Sequence, residues 1–205
     1  MRRTGLIIAL LLFGFAVLAQ DYKNDKKSAK KALKEAKLQS AKESTAELIQ
    51  LVESKKFIIQ ANNIVERNRN DLTRYNIYKF TNSLVLNPNL NFVAFDGDNS
   101  TVQLSFVGLV GENGVGGVTL DGKVTKMEIR PREDGVGFRV HAVVQNKLGS
   151  DFRIKGGRFI TMLMRVYYDG TTRIDMEDNF GDHLSFQGYI MPLEESTVYK
   201  GIVRY

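Results

Sequence analysis

The chain has 205 residues, no cysteine and three prolines, and its 29 Lys and Arg against 23 Asp and Glu give a net charge of +6. The missing cysteine excludes a disulfide framework and a lipid-modified cysteine, so neither a stapled miniprotein nor a lipoprotein is expected. The charge does not mark a nucleic-acid binder, because Arg2, Arg3 and eight lysines against three acidic residues from Asp21 to Lys42 account for it, leaving 19 basic and 20 acidic residues elsewhere.

Arg2 and Arg3 precede an apolar run from Leu6 to Leu18 that closes on Val17-Leu18-Ala19 before Gln20. A basic start, a short apolar centre and small residues at its end make the pattern of a cleaved export leader, here residues 1–19. A membrane-spanning helix needs roughly 20 apolar residues, more than this run supplies. The expected product is an exported, soluble protein, periplasmic or extracellular, with an uncleaved signal anchor as the alternative.

Residues 20–56 form a basic helical segment. Asp21 to Ser44 is rich in Ala, Lys and Glu and has no Gly or Pro, a composition that favours helix. Ala29, Ala32, Leu33 and Ala36 have helical spacing but make a weak apolar stripe, so this part is expected to be solvated. A second helix is predicted from Ser44 as N-cap, with Glu47 completing a capping box. Leu48, Leu51 and Val52 form its apolar face, and Lys55 and Lys56 lie in its last turn, where cations suit the helix dipole.

From Phe57 the apolar period changes to two, and residues 57–205 are predicted as an antiparallel β domain. Val102, Leu104 and Phe106 alternate with Gln103, Ser105 and Val107, Phe138, Val140, Ala142 and Val144 with Arg139, His141, Val143 and Gln145, and Leu184, Phe186, Gly188 and Ile190 with Ser185, Gln187 and Tyr189. Phe159 to Tyr168 is apolar on both faces, Ile160, Met162, Met164 and Val166 on one and Phe159, Leu163 and Tyr167 on the other. That predicts a central strand covered on both sides. Asp96-Gly97-Asp98-Asn99, Asp121-Gly122, Asp134-Gly135 and Asp169-Gly170 are hairpin signals. Asn62 to Pro88 reads as a loop-rich link with short strands at Ile77 to Phe80 and Leu84 to Leu86. The predicted fold is mainly β, an antiparallel meander closed as a sandwich or partial barrel and preceded by an N-terminal α-helical segment.

Few residues offer chemistry. The cluster Gly108 to Gly117 lacks the Lys-Ser/Thr and following helix of a phosphate-binding loop, and reads as a loop or bulged hairpin. Asp96, Asp98 and Ser100 alternate as calcium ligands do, but without the glycine and bidentate glutamate of a helix-loop-helix site. Asp175, Glu177, Asp178, Asp182 and His183 are denser, and a His beside carboxylates suits a metal ligand or a general base. A solvated hairpin tip is the plainer reading, since Asp175 and Glu177 share a face with Arg173. Ser105 and Ser185 sit in strand patterns without a nucleophile elbow, and His141 alternates outward from the core. No catalytic, cofactor or metal residue is assigned, and nothing demands an enzyme.

Two kinds of partner remain. The lysines of the N-terminal segment, with Tyr22 the one aromatic among them, suit weak peripheral contact with an anionic membrane or cell-wall polymer rather than nucleic acid. Phe159 to Tyr168, with Phe92, Phe95 and Phe106, could line a cavity for an apolar or amphipathic ligand, although such residues more often form plain core.

The order of leader, helix ending in Leu51-Val52-Glu53-Ser54-Lys55-Lys56-Phe57, a strand bearing Ala61, a glycine-rich loop after Val102 to Phe106, and Asn179-Phe180-Gly181 before Ser185-Phe186-Gln187-Gly188-Tyr189-Ile190 resembles the exported Bacteroidota proteins grouped as domain of unknown function 4251. The resemblance covers about Leu48 to Ile202. It implies export and a β-rich domain, and carries over no catalytic residues. The expected function is that of a non-enzymatic envelope-associated binding or structural component. The alternatives are a small periplasmic hydrolase or metal-dependent enzyme using His183 and neighbouring carboxylates, and a carrier of an apolar ligand inside a barrel or sandwich.

Overall fold

No glycine or proline occurs between Phe15 and Asn87, and in the computed structural model a single helix, α1, runs from Arg2 to Glu53. The structure describes residues 2–67, 84–105, 117–146, 158–178 and 183–201. The chain divides into two units, Met1–Ala41 and Lys42–Tyr205. In the first, residues 26–40 are all exposed, and Lys31 and Glu35 sit one turn apart with 3.8 Å between their charged atoms.

The break expected at Ser44 is absent. Strong helix formers continue on both sides of it, so Ser44 lies inside α1 and has no terminus to cap. The helix stops where Lys55 adopts the left-handed conformation, φ 54°, and its N–H donates to the Val52 carbonyl at 3.0 Å. Lys55 and Lys56 therefore lie beyond the last turn. The Lys55 ammonium instead reaches Asp98 at 2.8 Å.

Among the described residues nine strands follow: β1 (Lys56–Arg67), β2 (Leu84–Val85), β3 (Phe92–Asp96), β4 (Asn99–Leu104), β5 (Val118–Pro131), β6 (Phe138–Asn146), β7 (Arg158–Val166), β8 (Thr171–Asp178) and β9 (His183–Pro192). A short 3-10 helix, η1 (Leu193–Glu195), comes after them. From β3 to β9 each strand pairs antiparallel with the next, and β3 and β9 both pair with β1. The result is an eight-stranded antiparallel barrel of β1 and β3–β9, with β2 added beside the far end of β1. Of the two closures expected, the barrel forms because β1 is long enough, with bulges between Ala61/Asn63 and Ile64/Glu66, to bond along both edges.

Alternation sends one side chain in two into the barrel. Phe57, Ile59, Phe95, Val102, Phe138, Val140, Ala142, Val144, Met162, Met164, Ile174 and Phe186 are buried in one continuous core. Phe57 and Phe95 stack with ring centroids 4.6 Å apart. At one end the turns β3–β4, β5–β6 and β7–β8 place Gly97, Gly135 and Gly170 at φ of 61°, 67° and 80°, as tight hairpins require. Residues 42–53 of α1 pack at this end. Val52 is fully buried among the core residues, Leu48, Ile49 and Leu51 lie against them, and Thr45 Oγ1 accepts a 2.9 Å hydrogen bond from the Gly137 N–H.

Two further features differ from the sequence pattern. Asp121-Gly122 is no turn but the interior of β5, where Gly122 pairs with Ser100 and Asn146. The Asp121 carboxylate is occupied by the Thr101 hydroxyl at 2.6 Å and the Lys200 ammonium at 2.9 Å. The segment Phe159 to Tyr168 is central in the sheet, between β6 and β8, yet its outer face is not covered. Phe159 is 37% and Tyr167 40% exposed, because a closed barrel buries its inner face only. The expected strand at Ile77 to Phe80, Phe106 and residues 108–116 lie outside the described residues; Leu84–Val85 is β2.

The last residues bind the outside of β3–β5 through one buried side chain. The Gln103 amide donates to the carbonyls of Leu90 and Tyr199 at 3.2 and 2.7 Å and accepts from the Gly201 N–H and the Thr119 hydroxyl at 2.7 and 3.0 Å. η1 contacts β1 and β3, whose outward Ile58 and Phe92 are both buried.

Candidate functional site: the charged outer wall

The residues singled out for chemistry are distributed by the barrel to different places. Asp96 and Asp98 flank the β3–β4 turn, whereas Ser100 is buried, with its hydroxyl finding no partner among the described residues. It faces inward, level with Phe95. The Lys55 hydrogen bond, then its charge, holds the Asp98 carboxyl below its ordinary value. Among the described residues no three His, Asp or Glu side chains converge as metal ligands would.

The acidic and histidine group lies on the outer wall of β8 and β9. Glu177 stands opposite His183, and Asp175 opposite Ser185, in the β8–β9 register. Asp178 ends β8, and Asp182 is outside the described residues. Asp175 is not free for catalysis. Its carboxylate accepts from the Ser185 hydroxyl at 2.5 Å and from Arg173 Nε at 3.2 Å, and Arg165 lies at 3.0 Å. Burial pushes this carboxyl up, but the Ser185 and Arg173 hydrogen bonds and the charges of Arg173 and Arg165 together outweigh it, so the net shift is down. His141 also faces outward, between Glu128 and Leu163. Ser185 is fully buried, and its hydroxyl donates to a carboxylate that two arginines also engage, so no Ser-His pair is formed there.

The same register assembles a feature that no spacing in the sequence signals. Arg130 is opposite Arg139, Arg139 opposite Arg165, and Arg165 opposite Arg173, so four arginines stand side by side across β5, β6, β7 and β8. All four point outward, since each alternates with inward neighbours such as Phe138, Val140, Met164, Val166 and Ile174. Carboxylates pin the ends of the row. Glu128 sits 2.9 Å from Arg130 and 2.9 Å from Lys126, and Asp175 bridges Arg165 and Arg173. Hydrogen bonds from Lys126 and then Arg130 hold Glu128 below the usual carboxylate range. Arg139, in the middle, is exposed and has no ion-pair partner among the described residues. The signal available earlier was that each arginine occupies an outward position of an alternating strand. Their adjacency depends on register.

Among the described residues no helix is long and apolar enough to cross a membrane. No curated protein matches the chain. A crystal structure of a DUF4251 family protein from Bacteroides eggerthii DSM 20697, at 1.95 Å resolution, is similar in fold, with a TM-score of 0.51 and 22% sequence identity over 75% of this chain and 90% of that one. The family model described as domain of unknown function (DUF4251) matches residues 39–190, from within α1 to the inward Ile190 of β9. Since that match takes in most of the chain, the resemblance read from its helix and last hairpin is one of membership: the protein belongs to the DUF4251 family.

Proposed function

We propose that this protein is exported and serves in the cell envelope as a non-enzymatic binding or structural component that meets its partner on the outside of the barrel. The observation that carries the reading is the division of the molecule into a side-chain-filled interior and a polarised outer wall. Phe57, Phe95, Phe138, Met162, Met164, Ile174 and Phe186 are all but fully buried inside, which is how an eight-stranded barrel closes when it holds no ligand. A carrier of an apolar molecule would have to displace them. A hydrolase would need a base and a nucleophile in reach of each other, whereas His183 faces Glu177 and Ser185 is engaged by Asp175.

Export is supported by the basic and apolar pattern of residues 1–19, and the lysines from Lys23 to Lys42 would then follow the cleavage site. Their charge suits a weak, salt-sensitive contact with an anionic envelope surface. The test is fractionation of the native host with N-terminal sequencing of the recovered protein. The expected result is a chain beginning at Gln20 in the periplasm or medium, any envelope-bound share being released by high salt. Full-length chain in the cytosol would overturn the reading.

A further inference from the structure

Like charges placed directly opposite one another destabilise a sheet, and strands lie about 4.8 Å apart, so the row Arg130, Arg139, Arg165 and Arg173 holds four guanidinium groups at close quarters. Glu128 and Asp175 form ion pairs with Arg130, Arg165 and Arg173, but among the described residues Arg139 has no ion pair of its own. We infer that this row is a docking surface for an acidic polysaccharide, whose carboxylates are taken by the arginine forks. The inference rests on the proposed role as an envelope binding component and names the partner of the same outer wall.

Three observations favour this partner. A guanidinium presents paired donors that match a carboxylate, and an exposed fork between two others at strand spacing suits an anion repeated along a chain better than one isolated ion. The row also runs over three of the eight strand steps around a closed barrel. It is convex, so a flat membrane meets only part of it, whereas a flexible polymer follows the curve. Finally, Tyr167 lies two residues beyond Arg165, and Tyr189 two beyond Gln187, which stands opposite Arg173. They are 40% and 50% exposed, and set flat apolar faces beside the charges, where sugar rings can stack. Residues 43–205 hold 19 basic and 20 acidic residues, the four arginines of the row among the basic ones, so the rest of the body is net acidic and attraction to polyanions would be local to this strip.

The test is titration of the full chain with polygalacturonate oligomers, followed by calorimetry at low and moderate salt, with neutral dextran, a single-stranded oligothymidylate and phosphatidylglycerol-containing vesicles as the other probes. Polygalacturonate is expected to bind in a salt-dependent way and more tightly than oligothymidylate or vesicles, and dextran not at all. Arg139→Gln should weaken it about tenfold, the scale of one charge-assisted contact, while leaving the melting temperature unchanged or raised. Arg139→Lys should keep part of the affinity. Replacing Lys123, an exposed residue of β5 seven positions from Arg130, by Gln should change nothing. No binding by the unaltered chain, unchanged affinity in Arg139→Gln, or equal binding of oligothymidylate or vesicles would each overturn the inference. Fractionation decides the export reading separately: a cytosolic protein that binds polygalacturonate refutes export alone, and an exported one that does not refutes the docking surface alone.

Discussion

Gly188 of β9 lies directly opposite Ala61 of β1 at the seam where the barrel closes, so near that a methyl group on Gly188 would collide with the Gln60 carbonyl and the Ala61 Cα. The neighbours in the way are backbone atoms, which cannot rotate aside. The bulge between Ala61 and Asn63 bends β1 at the same place, and together they give the seam its curvature.

Gly188→Ala is therefore expected to destabilise the protein by roughly 1–3 kcal/mol, the usual scale of overpacking. Urea unfolding should show a lower midpoint with the slope retained. An unchanged midpoint would mean that β1 and β9 are not held this closely.

The two faces of β7 should respond very differently to truncation. Met162 is fully buried among the core residues, whereas Leu163 is only partly buried on the outer wall. Met162→Ala is expected to cost about 2–5 kcal/mol, and Leu163→Ala about 1 kcal/mol or less. Comparable losses in thermal unfolding would contradict the one-sided burial of this strand.

Gln103 ties the chain end to the barrel through its four hydrogen bonds to Leu90, Tyr199, Gly201 and Thr119. Gln103→Leu removes that centre and leaves buried groups unpaired, each at a cost of roughly 1–3 kcal/mol. Limited proteolysis should cut after Leu193 faster in the variant than in the natural protein. Equal rates would show that the tail is held by other contacts.

Asp175 gives the protein a specific acid sensitivity. Its carboxyl is held below the ordinary aspartate value of about 4, so its ionised form contributes stability that is complete above that value and is lost as pH falls through the lower folded-state value. Asp175→Asn should be less stable than the natural protein near neutrality, and the gap should narrow as pH falls below about 4 and close once it passes below the lowered folded-state value, where both lack the charge that separates Arg165 from Arg173. A gap constant with pH would remove the ionised Asp175 as its cause.

Much of the fold was legible beforehand because it depends on local periodicity. The alternation at Phe138, Val140, Ala142 and Val144, and at Ile160, Met162, Met164 and Val166, predicted which side chains would be buried, and three of the four Asp-Gly turns formed. Asp121-Gly122 failed because turn propensity is local, while its place in β5 is set by pairing on both sides with β4 and β6. Ser44 failed for the converse reason: a good cap residue has no effect where helix formers continue past it. Asp175 and Glu177 do share a face with Arg173, but the Asp175 side chain is only 15% exposed and not at a solvated hairpin tip, and nothing nearby in sequence reveals that it belongs to arginines on two strands.

Composition and period alone thus established a cysteine-free, mainly β chain with a basic helical start, because those properties reside in residue type and in neighbours one or two positions apart. Whether the sheet would close, and which charges would meet on its wall, depended on strand register. Arg130, Arg139, Arg165 and Arg173 become neighbours only when β5 to β8 pair in one alignment, since a slip by a single residue would turn every side chain of a strand to the opposite face.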